Sequence, residues 1–360
     1  MYPIIFATKS GNVDSVVELI SAGANVNLAD TNDGNTALHL ANNFQVVKLL
    51  VDAEADVNAK NKNGDTPLHI AAKHGDAEVC QYLIANGANV NATNVEKQYP
   101  IHFAAYYCNV DVFKLLTENG SPIDASDDNL FTPLHLASSQ GCVELVKLLA
   151  SDKKVDVKSY ERKNHNNALH MAVLFGHYNV VDVLATPKMI ESTNENWYTP
   201  LIMAAKMNRQ DILELLVNRG ANVNATSKSG NCALYAAVNN GNVNMARYLL
   251  DHGAKVRRSL FIAVDNVNLE MCKLLIERGA DVNTRDARSY NVLMIASGKG
   301  DLEIVKLLVH SGANSKLKEA TEEARQAGHD DIVVFLSGVE KPRGIRNFFK
   351  EIGNAMSSIV

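Results

Sequence analysis

Histidine and cysteine are the side chains here best suited to hold a metal or move a proton, and the chain carries eleven of the first and five of the second. His39, His69, His102, His135 and His170 all fill one place in a recurring tetrapeptide, seen as Thr66-Pro67-Leu68-His69, Tyr99-Pro100-Ile101-His102, Thr132-Pro133-Leu134-His135 and Asn167-Ala168-Leu169-His170. Repetition of that kind assigns them a structural role. His165, His177 and His252 are not spaced for a shared site. The H-E-x-x-H, G-x-S-x-G and phosphate-loop motifs are absent. Gly298-Lys299-Gly300 resembles part of a phosphate loop, but no strand precedes it. Cys80, Cys108, Cys142, Cys232 and Cys272 show no C-x-x-C spacing and are expected to be small buried hydrophobes in a reducing compartment. The expectation is a chain without catalytic residues, bound metal or cofactor, and so not an enzyme.

The elements that carry these residues repeat with them. Thr66, Tyr99 and Thr132 are each 33 residues apart, and Thr199-Pro200-Leu201-Ile202 and Cys232-Ala233-Leu234-Tyr235 continue the series. Within Asn61 to Asn91, Asn63-Gly64 supplies a turn and Thr66 and Pro67 open a helix faced by Leu68, Ala71 and Ala72. Gly75 turns the chain into a second helix carrying Val79, Leu83 and Ile84, and Gly87-Ala88-Asn89-Val90-Asn91 closes the unit. Gly23 to Asn27, Gly220 to Asn224 and Gly279 to Asn283 match that closing segment.

A period near 33 with this tetrapeptide resembles the ankyrin repeat. The resemblance implies an all-α repeat solenoid: helix-turn-helix units joined by β-hairpin fingers, in a curved right-angled stack with a concave binding face. It covers residues 1–337, as about ten repeats and a closing half-repeat, with a tail over 338–360. Only stacking lets each unit bury its apolar face. Three places depart from the pattern. Ala41 reaches Leu49-Leu50 too soon, so the second repeat is short by about a turn. Val256 runs almost directly into Ser259-Leu260-Phe261, so a finger is missing near Arg257. The closing unit, Lys318 to Leu336, lacks a finger and begins with a charged helix.

A net charge of −5 argues against a nucleic-acid partner, and 46% hydrophobic content suffices for a continuous core. No long apolar run suggests a signal peptide or membrane span. A soluble cytoplasmic monomer is expected, including one delivered into a host cell.

In ankyrin proteins, partners are held by finger tips and by the two residues before the mid-repeat glycine. By position these pairs are Lys73 and His74, Tyr106 and Tyr107, Ser139 and Gln140, Leu174 and Phe175, Lys206 and Met207, Asn239 and Asn240. The fingers supply Asp65, Gln98, Phe131, Asn166, Tyr198 and Asn231. Tyr106, Tyr107, Phe131, Leu174, Phe175, Trp197, Tyr198 and Met207 concentrate in repeats four to seven, so a partner protein is expected there, with Gln140 and Lys206 beside them. The competing reading folds these rings under their own fingers. Glu96, Asp127, Asp128 and Glu195 form an acidic flank that suits either a mildly basic partner or a solvated finger edge.

In the tail, Ile345, Phe348, Phe349, Ile352 and Met356 make one apolar helical stripe near Lys341, Arg343, Arg346 and Lys350. It suits docking on the last repeats, peripheral contact with an anionic membrane, or recognition by another protein. The alternative function follows: a targeting or regulatory subunit whose tail recruits an enzyme or membrane while the repeats select the substrate. The resemblance also marks Asn58 and Asn283 as candidates for asparagine hydroxylation, and the irregular, asparagine-rich array is similar to effectors of intracellular bacteria.

Overall fold

The computed structural model describes residues 2–286 and 288–340. The tail-stripe positions from Ile345 to Met356 lie outside them. Among the described residues the chain forms 22 helices and no sheet, an all-α repeat solenoid. It divides into two compact units, the first ending at Asn196 and the second beginning at Trp197.

The first unit holds six helix pairs. They are α1 (Pro3–Lys9) with α2 (Val13–Ser21), α3 (Ala37–Leu40) with α4 (Phe44–Asp52), and α5 (Pro67–His74) with α6 (Ala77–Ala85). Then come α7 (Pro100–Tyr106) with α8 (Val110–Glu118), α9 (Pro133–Gln140) with α10 (Val143–Ser151), and α11 (Ala168–Phe175) with α12 (Tyr178–Leu184). The second unit holds five. They are α13 (Pro200–Lys206) with α14 (Gln210–Asn218), α15 (Ala233–Asn239) with α16 (Val243–Asp251), and α17 (Ser259–Asp265) with α18 (Leu269–Glu277). The last are α19 (Val292–Lys299) with α20 (Leu302–His310) and α21 (Leu317–Ala327) with α22 (Asp330–Glu340).

Single helices of seven to nine residues are marginal in water, so their stability comes from packing against neighbours. Inner helices stack on inner helices: α5 on α7, α7 on α9 and α9 on α11 in the first unit, α13 on α15 and α15 on α17 in the second. Leu68, Ile101, Leu134 and Leu169 are fully buried at equivalent places, and small Ala72, Ala105 and Ala137 let the backbones approach.

Polar groups tie one repeat to the next. The Asn58 carboxamide donates to the Gly87 carbonyl at 2.9 Å and accepts from the Asn89 N–H at 2.8 Å. Asn224 bridges to Gly253 and Lys255, and Asn283 to Gly312 and Asn314, in the same way. Inside the fingers an Asn or Asp side chain clamps the turn: Asn61 Oδ1 accepts from the N–H groups of Asn63 and Asp65, and Asn94, Asp127 and Asp286 repeat the arrangement.

The short second repeat takes its loss in α3, which ends at Leu40, with Ala41 already extended. Leu50 is buried where Leu83 is in the next repeat, so the helix pair is three residues short. In α21, Ala320 and Ala324 are buried while Glu319, Glu322 and Arg325 face water.

Candidate protein-binding site

The histidine column shows why the tetrapeptide recurs. In His69, Nδ1 accepts from the Thr66 N–H at 3.0 Å and lies 2.9 Å from the Thr66 hydroxyl, so the proton sits on Nε2. Nε2 then donates to the Gln98 carbonyl of the following finger at 3.0 Å. His39 does the same between Thr36 and the Asp65 carbonyl. At His102 and His135 the backbone carbonyls of Phe131 and Asn166 lie near, but Nε2 makes no close bond. His170 reverses the tautomer: its Nδ1 faces Asn167 Oδ1 at 2.8 Å, an atom that also accepts from the His170 N–H. Burial holds all four of His39, His69, His102 and His135 below the usual histidine range, His69 and His135 at about 4. At His39 and His69 the neutral ring thus brackets two repeats, while the other rings of the column fasten the start of their own inner helix.

Gly298-Lys299-Gly300 closes helix α19, where Gly300 donates its N–H back to Ala296 and Lys299 pairs with Asp265 at 2.8 Å. A helix C-terminus presents carbonyls, the wrong polarity for phosphate. Among the described residues no three His, Cys, Asp or Glu side chains converge as metal ligands would. Burial pushes the Cys80 and Cys272 thiols up to about 12, and Cys232 is buried too.

Two cysteines differ from the expectation of five buried thiols. Cys108 is exposed and forms a disulfide with Cys142, 34 residues on. Cys108 stands at the mid-repeat glycine position, with a positive φ of 61°. In the repeat before, a Cβ on Gly75 would meet Asn109 Oδ1 at 2.5 Å, because this position abuts the residue after the glycine in the next repeat. Any side chain placed there points at that neighbour. Asn208 and Asn242 occupy the same two places in the second unit and hydrogen-bond at 2.8 Å. The spacing of Cys108 and Cys142 against the repeat was the signal available in the sequence.

The candidate contact residues separate by unit. In the first, Tyr106, Tyr107 and Phe175 are 43%, 44% and 50% exposed. The two tyrosine rings meet edge to face at 5.1 Å, and Lys73 Nζ lies 5.5 Å from the Tyr107 ring centroid. With Gln98, Phe103 and Leu136 the tyrosines line an open cavity of about 310 Å³ floored by His102. Gln140 is exposed, while Ser139 is buried and Leu174 half-buried. Phe131 is half-buried and meets the His135 ring edge-on at 6.1 Å.

In the second unit, Trp197 is 56% exposed and Met207 36%. Lys206 is exposed, with Nζ 4.6 Å from the centroid of the half-buried Tyr198. Trp197 itself takes the finger tip, with φ 59°, the place held by Gly64 and Gly230. The tip therefore falls one residue earlier than expected. Asp65 and Asn166 belong to the returning arm and are buried.

The acidic flank divides on folding: Glu96 and Glu195 stay exposed, while the two aspartates are engaged. Asp127 is buried and spends its carboxylate on the N–H groups of Asn129 and Phe131, and Asp128 pairs with Lys97 at 2.7 Å. Asn58 and Asn283 have both ends of their carboxamides engaged in the cross-repeat bridges.

The chain belongs to the ankyrin-repeat family: a model of three ankyrin repeats matches overlapping stretches from residue 4 to residue 344. It is 36% identical over 86 residues to the nuclear factor NF-kappa-B p105 subunit of Mus musculus, covering 23% of this chain and 9% of that protein. It is 41% identical over 83 residues to a transient receptor potential cation channel subfamily A member 1 homologue of Caenorhabditis elegans, 21% of this chain and 7% of that one. The palmitoyltransferase ZDHHC17 of Danio rerio is 37% identical over 87 residues, 23% of this chain and 14% of its own. The chain thus spans a small fraction of these relatives. Ankyrin repeats are a protein-interaction module. No helix among the described residues is long and apolar enough to cross a membrane.

Proposed function

We propose that this chain is a non-catalytic scaffold that binds another protein on the face formed by its inner helices. The observation that carries the reading is the exposure of Tyr106, Tyr107 and Phe175 on the first unit, at places where the repeat grammar does not need aromatic side chains. Tyrosines paired edge to face, with a cation above one ring and a cavity beneath, provide rigid amphipathic anchors, and truncating such anchors often costs about 2 kcal/mol or more. Trp197, Lys206 and Met207 offer anchors of the same kind on the second unit. Phe131, Tyr198 and Leu174 contribute as half-buried supports.

The test is a pull-down from eukaryotic lysate with the intact chain and a folded Tyr106→Ala, Tyr107→Ala, Phe175→Ala variant, alongside a Trp197→Ala, Met207→Ala variant. Proteins retained by the wild type and lost from the first variant support the reading. The same proteins recovered with every variant would make the rings packing residues and end it. The proposal places the chain in the cytoplasm, where a reducing poise would open the Cys108–Cys142 disulfide of this structure. Alkylation trapping in intact cells reads this, and a pair found oxidised at steady state removes that location.

A further inference from the structure

We propose that the gap left by the missing finger in the second unit is a docking site for an extended acidic segment of a partner protein. Successive fingers of the first unit are joined by one backbone hydrogen bond each. Lys62 donates its N–H to the Asp33 carbonyl, Val95 to Asn63, Asp128 to Glu96, Arg162 to Asn129 and Glu195 to Asn164, all at 2.8–2.9 Å. The finger Ser227–Asn231 is closed like the others, Ser227 donating its N–H to the Asn231 carbonyl at 2.9 Å. Ser229 therefore holds the place of Asn63, Glu96 and Asn129, and its carbonyl is the acceptor for a following finger. None follows. The chain passes from Gly253 to helix α17 at Ser259 directly, and among the described residues no group donates to the Ser229 carbonyl.

The vacated place is a cavity of about 470 Å³ between that finger and the shortened connection, lined by Ser229, Asn231, Tyr235, Arg257, Arg258 and Ser259. Arg257 and Arg258 are exposed, and their guanidinium groups have no ion-pair or hydrogen-bond partner among the described residues. The acids that flank them in sequence pair with other residues, Asp251 with Arg278 at 2.6 Å and Asp265 with Lys299 at 2.8 Å. Two guanidinium forks therefore stand beside an open backbone acceptor. Each fork matches a carboxylate in a two-point hydrogen bond, and an extended backbone presents an N–H to Ser229. An acidic strand meets both demands together. The chain's own tail does not, since Lys341, Arg343, Arg346 and Lys350 carry the sign of the two arginines.

The experiment uses the full chain and a fluorescent twelve-residue peptide of alternating Glu and Thr, with binding read by anisotropy at low salt. An Arg257→Gly, Arg258→Gln variant keeps the backbone conformation accessible, because glycine accepts the φ of 45° at position 257. Lys273→Gln on α18 is the surface-charge control, and thermal melts verify folding. The proposal expects at least a tenfold loss of affinity in the double variant and none in the control. It also expects at least a tenfold loss when the peptide carries N-methyl groups on alternate residues, which removes the backbone donors. No binding by the wild-type chain, or equal binding by the double variant, overturns the proposal. Full displacement by inorganic phosphate with no effect of N-methylation would reduce the site to a bare anion patch and overturn it too. Binding that emerges only after residues 341–360 are deleted would make the tail the occupant, with the same consequence.

Discussion

Acidification should unfold the first unit through its histidine column. His69 and His135 are held at about 4 in the folded chain against 6.5 in the unfolded one, with burial the main cause and the Gln98 carbonyl and Glu161 charge working against it. A depressed histidine pKa means that the neutral ring supports the fold. That support is complete above pH 6.5, falls away between 6.5 and 4, and is gone below. At pH 5 each ring contributes a loss of about 2 kcal/mol relative to neutral pH, or about 4 kcal/mol for the pair, and each loses about 3 kcal/mol once the pH is below 4. Geometry gives an independent reason: Nδ1 in both rings already accepts a backbone N–H, from Thr66 and from Thr132, so a proton placed there breaks the bracket. Urea unfolding followed by circular dichroism at pH 7.5, 6 and 5 measures the slope, and a His69→Gln, His135→Gln variant calibrates it. The variant should be less stable at neutral pH yet lose about 4 kcal/mol less than the wild type on going to pH 5. Parallel pH profiles for the two proteins would refute the reasoning.

Three other perturbations have expected outcomes. Gly75→Ala should cost about 2 kcal/mol or more, because φ is 78° and the new Cβ would displace Asn109 from the Ala72 and Lys73 carbonyls; thermal melting measures it. Asn58→Ala removes both bonds to the Gly87–Asn89 segment and should lower stability by about 1–2 kcal/mol, read from the urea midpoint. Reducing the Cys108–Cys142 disulfide should cost about 3–4 kcal/mol of loop entropy, and a Cys108→Ser, Cys142→Ser variant should no longer respond to reductant.

The helix pairs were legible because each is written locally. Thr66-Pro67 starts an inner helix and Gly75 ends it, with Leu68 and the alanines between them marking the buried face. The missing finger at Arg257 and the curtailed second repeat were readable for the same reason, as departures from a period. The extent of the second was not. Burial of Leu50 in the place of Leu83 sets the deletion at three residues, and one extra finger residue offsets part of it, so Asn27 reaches the Glu54 carbonyl 27 residues on where Asn58 reaches Gly87 at 29.

By itself, then, the sequence determined the family, the helical repeat and the structural standing of His39, His69, His102, His135 and His170. In a stacked array these depend on local signals and on contacts with the adjacent unit, which a period makes visible. The tertiary structure alone decided what the repeated positions touch. It turned Cys108 and Cys142 from inert thiols into a pair, because the mid-repeat glycine site of one unit abuts the next. It turned Asp127 from a surface charge into a buried finger clamp and left Tyr106, Tyr107 and Phe175 in water. Exposure and pairing depend on the backbone of the neighbouring repeat, and a residue's own sequence does not encode where that backbone lies.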